Sequence, residues 1–348
     1  MWLASDSSGA ASGEYNDQAC GTWLQGVATP GVALGSGQIG RRIGPTLCPV
    51  SDYRASINPS IEAVDQFVGV CRSALDRHPE GASVAKVCPA TEDFLHQSDY
   101  KGDSGEQPIE NVTSMIGLLA QLGVDSLRSV AILVKADPVL IWGHLPSVRS
   151  SLESFAYCRW LAECPLDRDV RVRRGLLMRL RDANELGRYN DPEMKQRSVD
   201  YKASVRGFAE ANGWEVSFSQ DSIAGEQLIT TKVAMDLLLG GDGGGEGVGP
   251  KLWSYLSGAS HGYPYALLNS ADRTNATVEG PSVKVALVVE SNTIHRLVAA
   301  LLLGGMMAWD AYRLYFGWDD ADWVADVAPI RQRMTTLASW LQDIDGSS

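Results

Sequence analysis

The sequence predicts a mainly α protein, a helical bundle that follows a loop-rich, partly disordered N-terminal segment. From residue 109 onward, apolar residues recur almost without interruption at the three- and four-residue spacing of amphipathic helices. Residues 21–59, in contrast, contain four prolines and many glycines, a composition that interrupts helices of normal length. We therefore divide the chain into an N-terminal segment, residues 1–105, and a helical bundle, residues 106–345.

Start and stop signals divide the bundle into predicted helices. Residues 60–75 form the first helix-like stretch, and the bundle follows with helices over 109–135, 138–163, 168–188, 192–212, 223–239, 250–262, 281–316 and 321–344. Ser222 is expected to cap the helix that starts at residue 223, and Pro281 to open the long apolar helix. The glycine-rich residues 240–249 predict a flexible connector, because they lack the Lys-Ser/Thr ending of a phosphate-binding loop. No β-strand is expected after residue 109.

Composition limits the classes of function. The chain has 348 residues, of which 42 are acidic and 30 basic, and its formal net charge is -12. An acidic chain is a poor bulk binder of nucleic acid or of anionic membranes. The first 40 residues contain no Lys or Arg, and the most apolar run, residues 297–309, is shorter than the roughly 18 residues that a membrane span needs. We therefore expect a cytoplasmic protein without membrane association.

The cysteines and histidines predict neither a disulfide framework nor a metal site. Six cysteines are scattered along the chain without a Cys-x-x-Cys pair, and the five histidines do not lie near a cysteine pair. We accordingly predict that the protein has no cofactor and no metal.

The helix over residues 250–262 carries the most suggestive side chains. Trp253, Ser257 and His261 follow one another at four-residue intervals and therefore share one helical stripe, which we expect to face inward. Gly262 ends the helix and leaves His261 beside the C-terminal carbonyl groups, where a cation is favoured. His261 is a candidate general acid or base, or a contact for an RNA phosphate. The alternative is a structural histidine that caps this helix and forms a hydrogen bond with a neighbouring helix.

This segment also carries a family resemblance. The string from Tyr255 to Pro264, Tyr-Leu-Ser-Gly-Ala-Ser-His-Gly-Tyr-Pro, resembles the late helix of HEPN-like all-helical proteins, a group with uncharacterised bacterial members. Residues 148–161 look like the first core helix of that group, and the resemblance covers roughly residues 110–316. HEPN ribonucleases carry an arginine, a polar residue and then a histidine, which His261 matches. The preceding positions lack the arginine, and this favours a non-catalytic HEPN-like scaffold.

Charged residues on the helix over 138–163 predict a polar site in a buried seam. Arg159 lies along the middle of the apolar face, and Arg149 and Glu153 lie along its edge. Charges within an apolar arc need partners, because an unpaired buried charge is costly. One interpretation has Glu153 orient His261 while Arg149 or Arg159 contacts an anion. The alternative is an internal salt-bridge network. The pairing of this helix with the one that carries His261 is implied by the resemblance.

The helix over residues 168–188 is basic, with seven arginines against three acidic residues and a local charge of +4. Arg171, Arg174 and Arg181 are the candidates for contacting phosphates of RNA or DNA. The alternative is a solvated face that pairs with acidic neighbours.

Asp319, Asp320 and Asp322 lie close together in sequence near the C-terminus. Carboxylates spaced in this way can hold magnesium for diphosphate chemistry, as in the all-helical terpene cyclases. The alternative is that they cap the helix over 321–344 and complement its dipole.

These observations lead to a first hypothesis, a cytoplasmic HEPN-like protein that binds nucleic acid or a protein partner, with a role in defence or the stress response. The second hypothesis is a helical enzyme, either a metal-independent ribonuclease that uses His261, Glu153 and Ser257, or a magnesium-dependent diphosphate enzyme that uses the three aspartates. A third is a structural protein without a site. RNA and a protein are the two candidate partners, and a homodimer stays among the alternatives.

Overall fold

The computed structural model describes residues 50–77, 87–102, 107–136, 140, 142–219, 221–241, 247–263, 271–279, 282–287, 291–318 and 320–345. Within these ranges the protein is mainly α, which confirms the predicted fold class. The helices, in chain order, are α1 (Val50–Arg77), α2 (Pro89–Leu95), α3 (Pro108–Val134), α4 (Leu145–Ala162), α5 (Arg168–Arg188), α6 (Pro192–Ala211), α7 (Thr231–Leu238), α8 (Val248–Ser260), α9 (Ser291–Phe316) and α10 (Asp320–Asp345).

The strands correct the prediction that no β-structure follows residue 109. Strands β1 (Val216–Ser217), β2 (Ser222–Ile223) and β3 (Glu226–Gln227) form a small antiparallel sheet in the order β1-β2-β3. Strands β4 (Ala271–Glu279) and β5 (Ser282–Leu287) pair as an antiparallel hairpin whose register shifts between Asp272 and Thr277. The prediction that Pro281 opens a long helix is therefore wrong, since α9 begins at Ser291.

The start of α7 is a second correction. Ser222 does not cap a helix, because it lies in β2, and a turn with positive φ angles at Ala224 and Gly225 follows. The cap is Thr230, whose side chain accepts a hydrogen bond from the backbone N–H of Val233.

The α5–α6 hairpin confirms the start signals in this part of the chain. The Asp167 side chain accepts hydrogen bonds from the backbone at the start of α5, and Asp191 does the same for α6, with Pro192 in the first turn. The two helices enclose a small core of their own with the three-stranded sheet, formed by Ile109, Val172, Leu176, Leu177, Val205, Phe208, Ala209 and Ile223.

The helical core begins N-terminal to residue 106, the boundary expected from the sequence. Helix α1 includes Pro59 in its interior and packs against α9 and α10. Ile57 and Ile61, on either side of that proline, are both 1% exposed. Their burial offsets the backbone hydrogen bond that Pro59 cannot donate. The part of the predicted disordered segment that precedes residue 50 lies outside the described residues.

Helix α4 lies at the centre of the bundle and packs against α3, α7, α8 and α9. Phe155 of α4 is fully buried and fits against Gly123 of α3 and Gly305 of α9, positions where a Cβ atom would collide with aromatic rings. The central position of α4 matters because this helix also supplies most of the polar residues of the candidate site.

Two helices, α3 and α9, are long and apolar enough to cross a membrane by length and composition alone. Their most apolar windows are 44% and 72% buried inside the bundle, respectively. Core helices of soluble proteins pass the same test, so the absence of membrane association stays a prediction.

Candidate functional site

An open cleft of about 460 Å³ lies between α3, α4, α5 and the C-terminal end of α8. Apolar side chains of α3 and α5 form part of its wall, namely Leu119, Leu122 and Met178. Its charged lining residues are Arg149 and Glu153 of α4 with Arg181, Asp182 and Glu185 of α5. Three of the predicted site residues, Arg149, Glu153 and Arg181, therefore come together in one cleft.

The side of the cleft formed by α4 holds a network centred on the Glu153 carboxylate. Arg149 Nε donates to Glu153 Oε1 over 2.7 Å, and Trp253 Nε1 donates to the same oxygen over 3.1 Å. The guanidinium of Arg149 also lies 5.9 Å from the centre of the Trp253 ring. The predicted pairing of α4 with the helix that carries His261 is therefore present, and Trp253 supplies the contact.

His261 follows directly after α8, and its backbone N–H donates to the carbonyl of Ser257 over 3.0 Å. The side chain is exposed, which corrects the expectation that it ends an inward-facing stripe. Its Nε2 lies 3.4 Å from Arg149 Nη1. Because a guanidinium only donates, Nε2 is the acceptor in this long contact. Among the described residues no hydrogen bond joins Glu153 to His261, so Arg149 is the link between them.

Ser257 does not line the cleft, although the sequence analysis placed it beside His261 on the candidate catalytic face. The serine of α8 that lines the cleft is Ser260, alongside Ser150 and Ser154 of α4, and within the described part of the chain the buried Oγ of Ser260 has no hydrogen-bond partner. Sequence reasoning missed Ser260 because the helical stripe was counted back from His261, which itself lies just beyond the end of α8.

The guanidinium of Arg181 lies over an aromatic ring at the cleft wall. Its guanidinium carbon is 4.5 Å from the ring centre of Tyr157, a residue of α4 that the sequence analysis also missed. The Tyr157 hydroxyl is 3.0 Å from Thr231 Oγ1, and burial raises the pKa of this phenol. The spacing of Tyr157 four residues after Glu153 was the available signal, since it places both on one face of α4.

Arg159 has a structural position. Its Nη1 donates to the carbonyl oxygens of Leu237 and Leu238 over 2.6 and 3.0 Å, at the C-terminal end of α7. These carbonyls are among the last of α7, which have no partner within the helix itself. Arg159 therefore joins α4 to α7, and the expectation that it contacts an anion at the site is corrected.

Arg171 is also structural, and its predicted contact with phosphates is wrong. The residue is 1% exposed and donates to Asp93 over 2.6 Å and to the carbonyls of Leu161 and Glu163 over 3.1 and 3.0 Å. Burial raises the pKa of the Asp93 carboxyl even though the guanidinium and a tyrosine hydroxyl stabilise its charged form.

Arg174 pairs with acidic neighbours, as the alternative interpretation of the basic helix predicts. Its side chain is 13% exposed and forms ion pairs of 2.9 Å with Glu163 and 2.8 Å with Glu226. It also donates to the Trp160 carbonyl over 2.6 Å. Of the three arginines predicted on α5, only Arg181 therefore lines the cleft.

The acidic run near the C-terminus does not form a metal site within the described residues. Asp322 is exposed in the first turn of α10, and Asp319 lies outside the described residues. No group of three His, Cys, Asp or Glu residues that could hold a metal ion is found in the part of the chain that the structure describes. The magnesium-dependent alternative thus gains no support from the geometry.

Comparison of the chain with protein-family models, with curated protein sequences and with solved structures finds no match. The resemblance to HEPN-like proteins therefore stays a prediction from the sequence.

Proposed function

We propose that this protein is a helical binding protein that holds a segment of a protein partner in the cleft between α3, α4 and α5. The observation that carries the proposal is the combination of apolar wall and charged groups within one open cleft. Leu122 is 50% exposed at this wall, and Leu118, one turn earlier on α3, is 67% exposed. Peptide segments bury apolar side chains and satisfy polar groups in clefts of this composition.

The charges of the cleft favour a protein segment over nucleic acid. Three carboxylates, Glu153, Asp182 and Glu185, stand against the two guanidinium groups of Arg149 and Arg181. A nucleic acid brings one further negative charge with every nucleotide to this local excess, and the net charge of -12 adds to the repulsion at low salt, whereas a protein segment brings few charges of its own. Helix α5 is basic in sequence, but Arg171 and Arg174 form ion pairs with carboxylates of the protein itself. Their positive charge is therefore not available to nucleic acid.

The proposal is tested by selecting displayed random peptides on the immobilised full-length protein. We expect enrichment of a common motif, and loss of that enrichment in Leu122→Arg, which places a bulky cation at the apolar wall. Leu314→Arg is the matched control, because Leu314 is 45% exposed on α9 and does not line the cleft. Equal enrichment on both variants would rule out the cleft as the binding site.

A second candidate function, metal-independent RNA cleavage, is favoured by the contact between Arg149 and His261. The arginine that the sequence lacks ahead of His261 is thereby supplied in space from another helix. In such a reaction His261 would take the proton of a ribose 2′-hydroxyl, and the 2′-oxygen would attack the adjacent phosphorus. The bond from phosphorus to the 5′-oxygen would break, and that oxygen would take a proton from water, which leaves a 2′,3′-cyclic phosphate and a 5′-hydroxyl end. Arg149 would neutralise the charge that develops on the phosphate oxygens.

Incubation of single-stranded RNA with the protein in chelator tests this second function. Cleavage that is lost in His261→Ala and in Arg149→Lys, but kept in Arg188→Lys, would establish it. Arg188 is a suitable control because its side chain is 75% exposed on α5 and does not line the cleft. Intact RNA in all reactions would eliminate the second candidate and leave the proposal of peptide binding unaffected.

A further inference from the structure

Arg181 differs from the other arginines of the site in the way its guanidinium is held. Arg149, Arg159, Arg171 and Arg174 all donate hydrogen bonds to carboxylates or carbonyls. The guanidinium of Arg181 lies over the face of Tyr157 at 4.5 Å, and among the described residues it makes no hydrogen bond or ion pair, although its charge attracts the neighbouring Asp182 carboxylate. Its N–H donors therefore line an open cleft without an acceptor of their own.

Stacking prepares this guanidinium to receive a planar anion. A guanidinium that lies on an aromatic face keeps its edge, with the N–H groups, free for hydrogen bonding. The ring beneath it is itself fixed, because the Tyr157 hydroxyl is 3.0 Å from Thr231 Oγ1. Less side-chain entropy is lost on binding when a donor is already held in position.

We propose, building on the proposed function, that the cleft selects an acidic side chain of the partner segment, whose carboxylate binds Arg181. The apolar wall formed by Leu119, Leu122 and Met178 takes an apolar residue next to that acid. Ser260 Oγ, buried in the same cleft without a partner among the described residues, provides a further hydroxyl donor.

A carboxylate fits this site better than a phosphate does. Asp182 and Glu185 lie on the same wall as Arg181 and repel any anion that enters. Repulsion grows with the charge of the ligand, and a phosphate monoester carries about twice the charge of a carboxylate at neutral pH. Carboxylates also match the planar fork of a guanidinium in a two-bond geometry.

The test uses three small probes, N-acetyl-leucyl-glutamate amide and its glutamine and phosphoserine counterparts, titrated into the full-length ¹⁵N-labelled protein. The readouts are the Nε–H resonance of Arg181, assigned with Arg181→Lys, and the backbone amide resonances of the cleft residues Leu122 and Ser260, which report binding in the variants as well. We expect saturable binding of the glutamate probe, with a dissociation constant roughly tenfold or more below that of the glutamine probe, the scale of one charge-assisted hydrogen bond.

Two variants show whether Arg181 is the receptor. Arg181→Lys keeps the charge but loses the fork and the stack, and we expect it to weaken binding of the glutamate probe by about tenfold. Arg188→Lys, on the same helix, should bind like the unmodified protein. Equal binding of the glutamate and glutamine probes, tighter binding of the phosphoserine probe, or no binding of any probe would each overturn the inference.

The outcomes also separate this inference from the proposed function. A peptide motif that is enriched without an acidic residue would uphold peptide binding and remove the acid specificity. Binding of the glutamate probe without any peptide enrichment would instead make the cleft a receptor for small carboxylates.

Discussion

Arg171 Nη1 donates a hydrogen bond of 2.6 Å to Asp93 Oδ2, and this buried pair joins residues 78 positions apart in the sequence. The Tyr315 hydroxyl donates to the same carboxylate oxygen over 3.2 Å, and its ring lies 4.5 Å from the Arg171 guanidinium carbon. One ion pair thus connects α2, α5 and α9. The pair shows why the arginines of α5 cannot be treated as one basic surface.

We predict that Arg171→Met destabilises the protein by about 3–5 kcal/mol, the usual cost of leaving one partner of a buried ion pair behind. The variant also leaves two backbone carbonyls, of Leu161 and Glu163, without their donor. Urea denaturation followed by circular dichroism measures the change. Adding Asp93→Leu should recover part of the loss, and a double variant that is less stable than Arg171→Met would contradict this explanation.

Charge reversal on α5 should separate the structural arginine from the cleft arginine. Arg171→Glu places a second carboxylate beside Asp93 at a position that is 1% exposed, and we expect it to prevent folding. Arg181→Glu loses one aromatic contact at the open cleft, and we expect it to keep the helical circular dichroism and a cooperative transition. An Arg181→Glu protein without a cooperative transition would mean that the stack on Tyr157 holds α4 and α5 together.

The parts of this fold that the sequence predicted are those set by local chemistry. Asp167 and Asp191 lie directly before the helices that they cap, and the bounds of α5 were correct to the residue. The strands β1, β2 and β3 were missed because each has two residues, too few to show an alternating pattern. Helix periodicity alone could not distinguish these short strands from the start of α7.

The candidate site was predicted only in part, for a different reason. The sequence shows which face of a helix a side chain occupies, but not what packs against that face. Arg171 and Arg181 both lie on α5, yet one meets Asp93 and the other meets Tyr157. Such partners come from other helices and depend on the packing of the whole bundle.

Two buried histidines should make stability depend on pH. Burial lowers the pKa of His144 and of His295, which are 3% and 0% exposed. The unfolded chain then binds more protons than the folded one below about pH 6.5, the ordinary value for histidine, so stability falls as the pH drops. The stability that the two neutral histidines contribute is fully present well above that pH. We expect a lower urea midpoint at pH 5.5 than at pH 7.5.

Replacing His295 by glutamine checks the cause. The glutamine side chain is uncharged at both pH values, so the difference between the two urea midpoints should shrink. This holds even if the variant is less stable at both pH values because Ser60 loses its 2.6 Å contact with the imidazole ring. A pH difference that is the same in His295→Gln would assign the effect to other groups, and His144→Gln is the next variant to measure.

A pair of glycines tests the packing at the centre of the bundle. A Cβ atom at Gly305 of α9 would lie 2.6 Å from Phe67 Cε1, so we predict that Gly305→Ala destabilises the protein by about 1–3 kcal/mol through overpacking. Gly69 is exposed on α1, and a Cβ atom added there would have no other atom within 4 Å. Gly69→Ala should therefore stabilise the protein by roughly 0.5–1 kcal/mol. Urea denaturation measures the change in unfolding free energy in each variant. Changes of the same sign and size in Gly305→Ala and Gly69→Ala would contradict this explanation.

His261 lies beside the hydrogen-bond network of Glu153 and makes only a long contact with it. Its ring is exposed, and its contact with Arg149 is long at 3.4 Å, whereas Glu153 accepts hydrogen bonds from both Arg149 and Trp253. We therefore expect His261→Ala to shift the melting temperature by less than about 2 °C, as surface substitutions usually do.

Glu153→Gln provides the comparison, because it weakens both hydrogen bonds at once and should cost roughly 1–3 kcal/mol. Differential scanning calorimetry of the two variants compares them on one scale. A loss in His261→Ala as large as in Glu153→Gln would show that the histidine is a structural cap. Unchanged stability in His261→Ala means that the imidazole is available for a ligand, and the effect of this variant on RNA cleavage then tests the second candidate function.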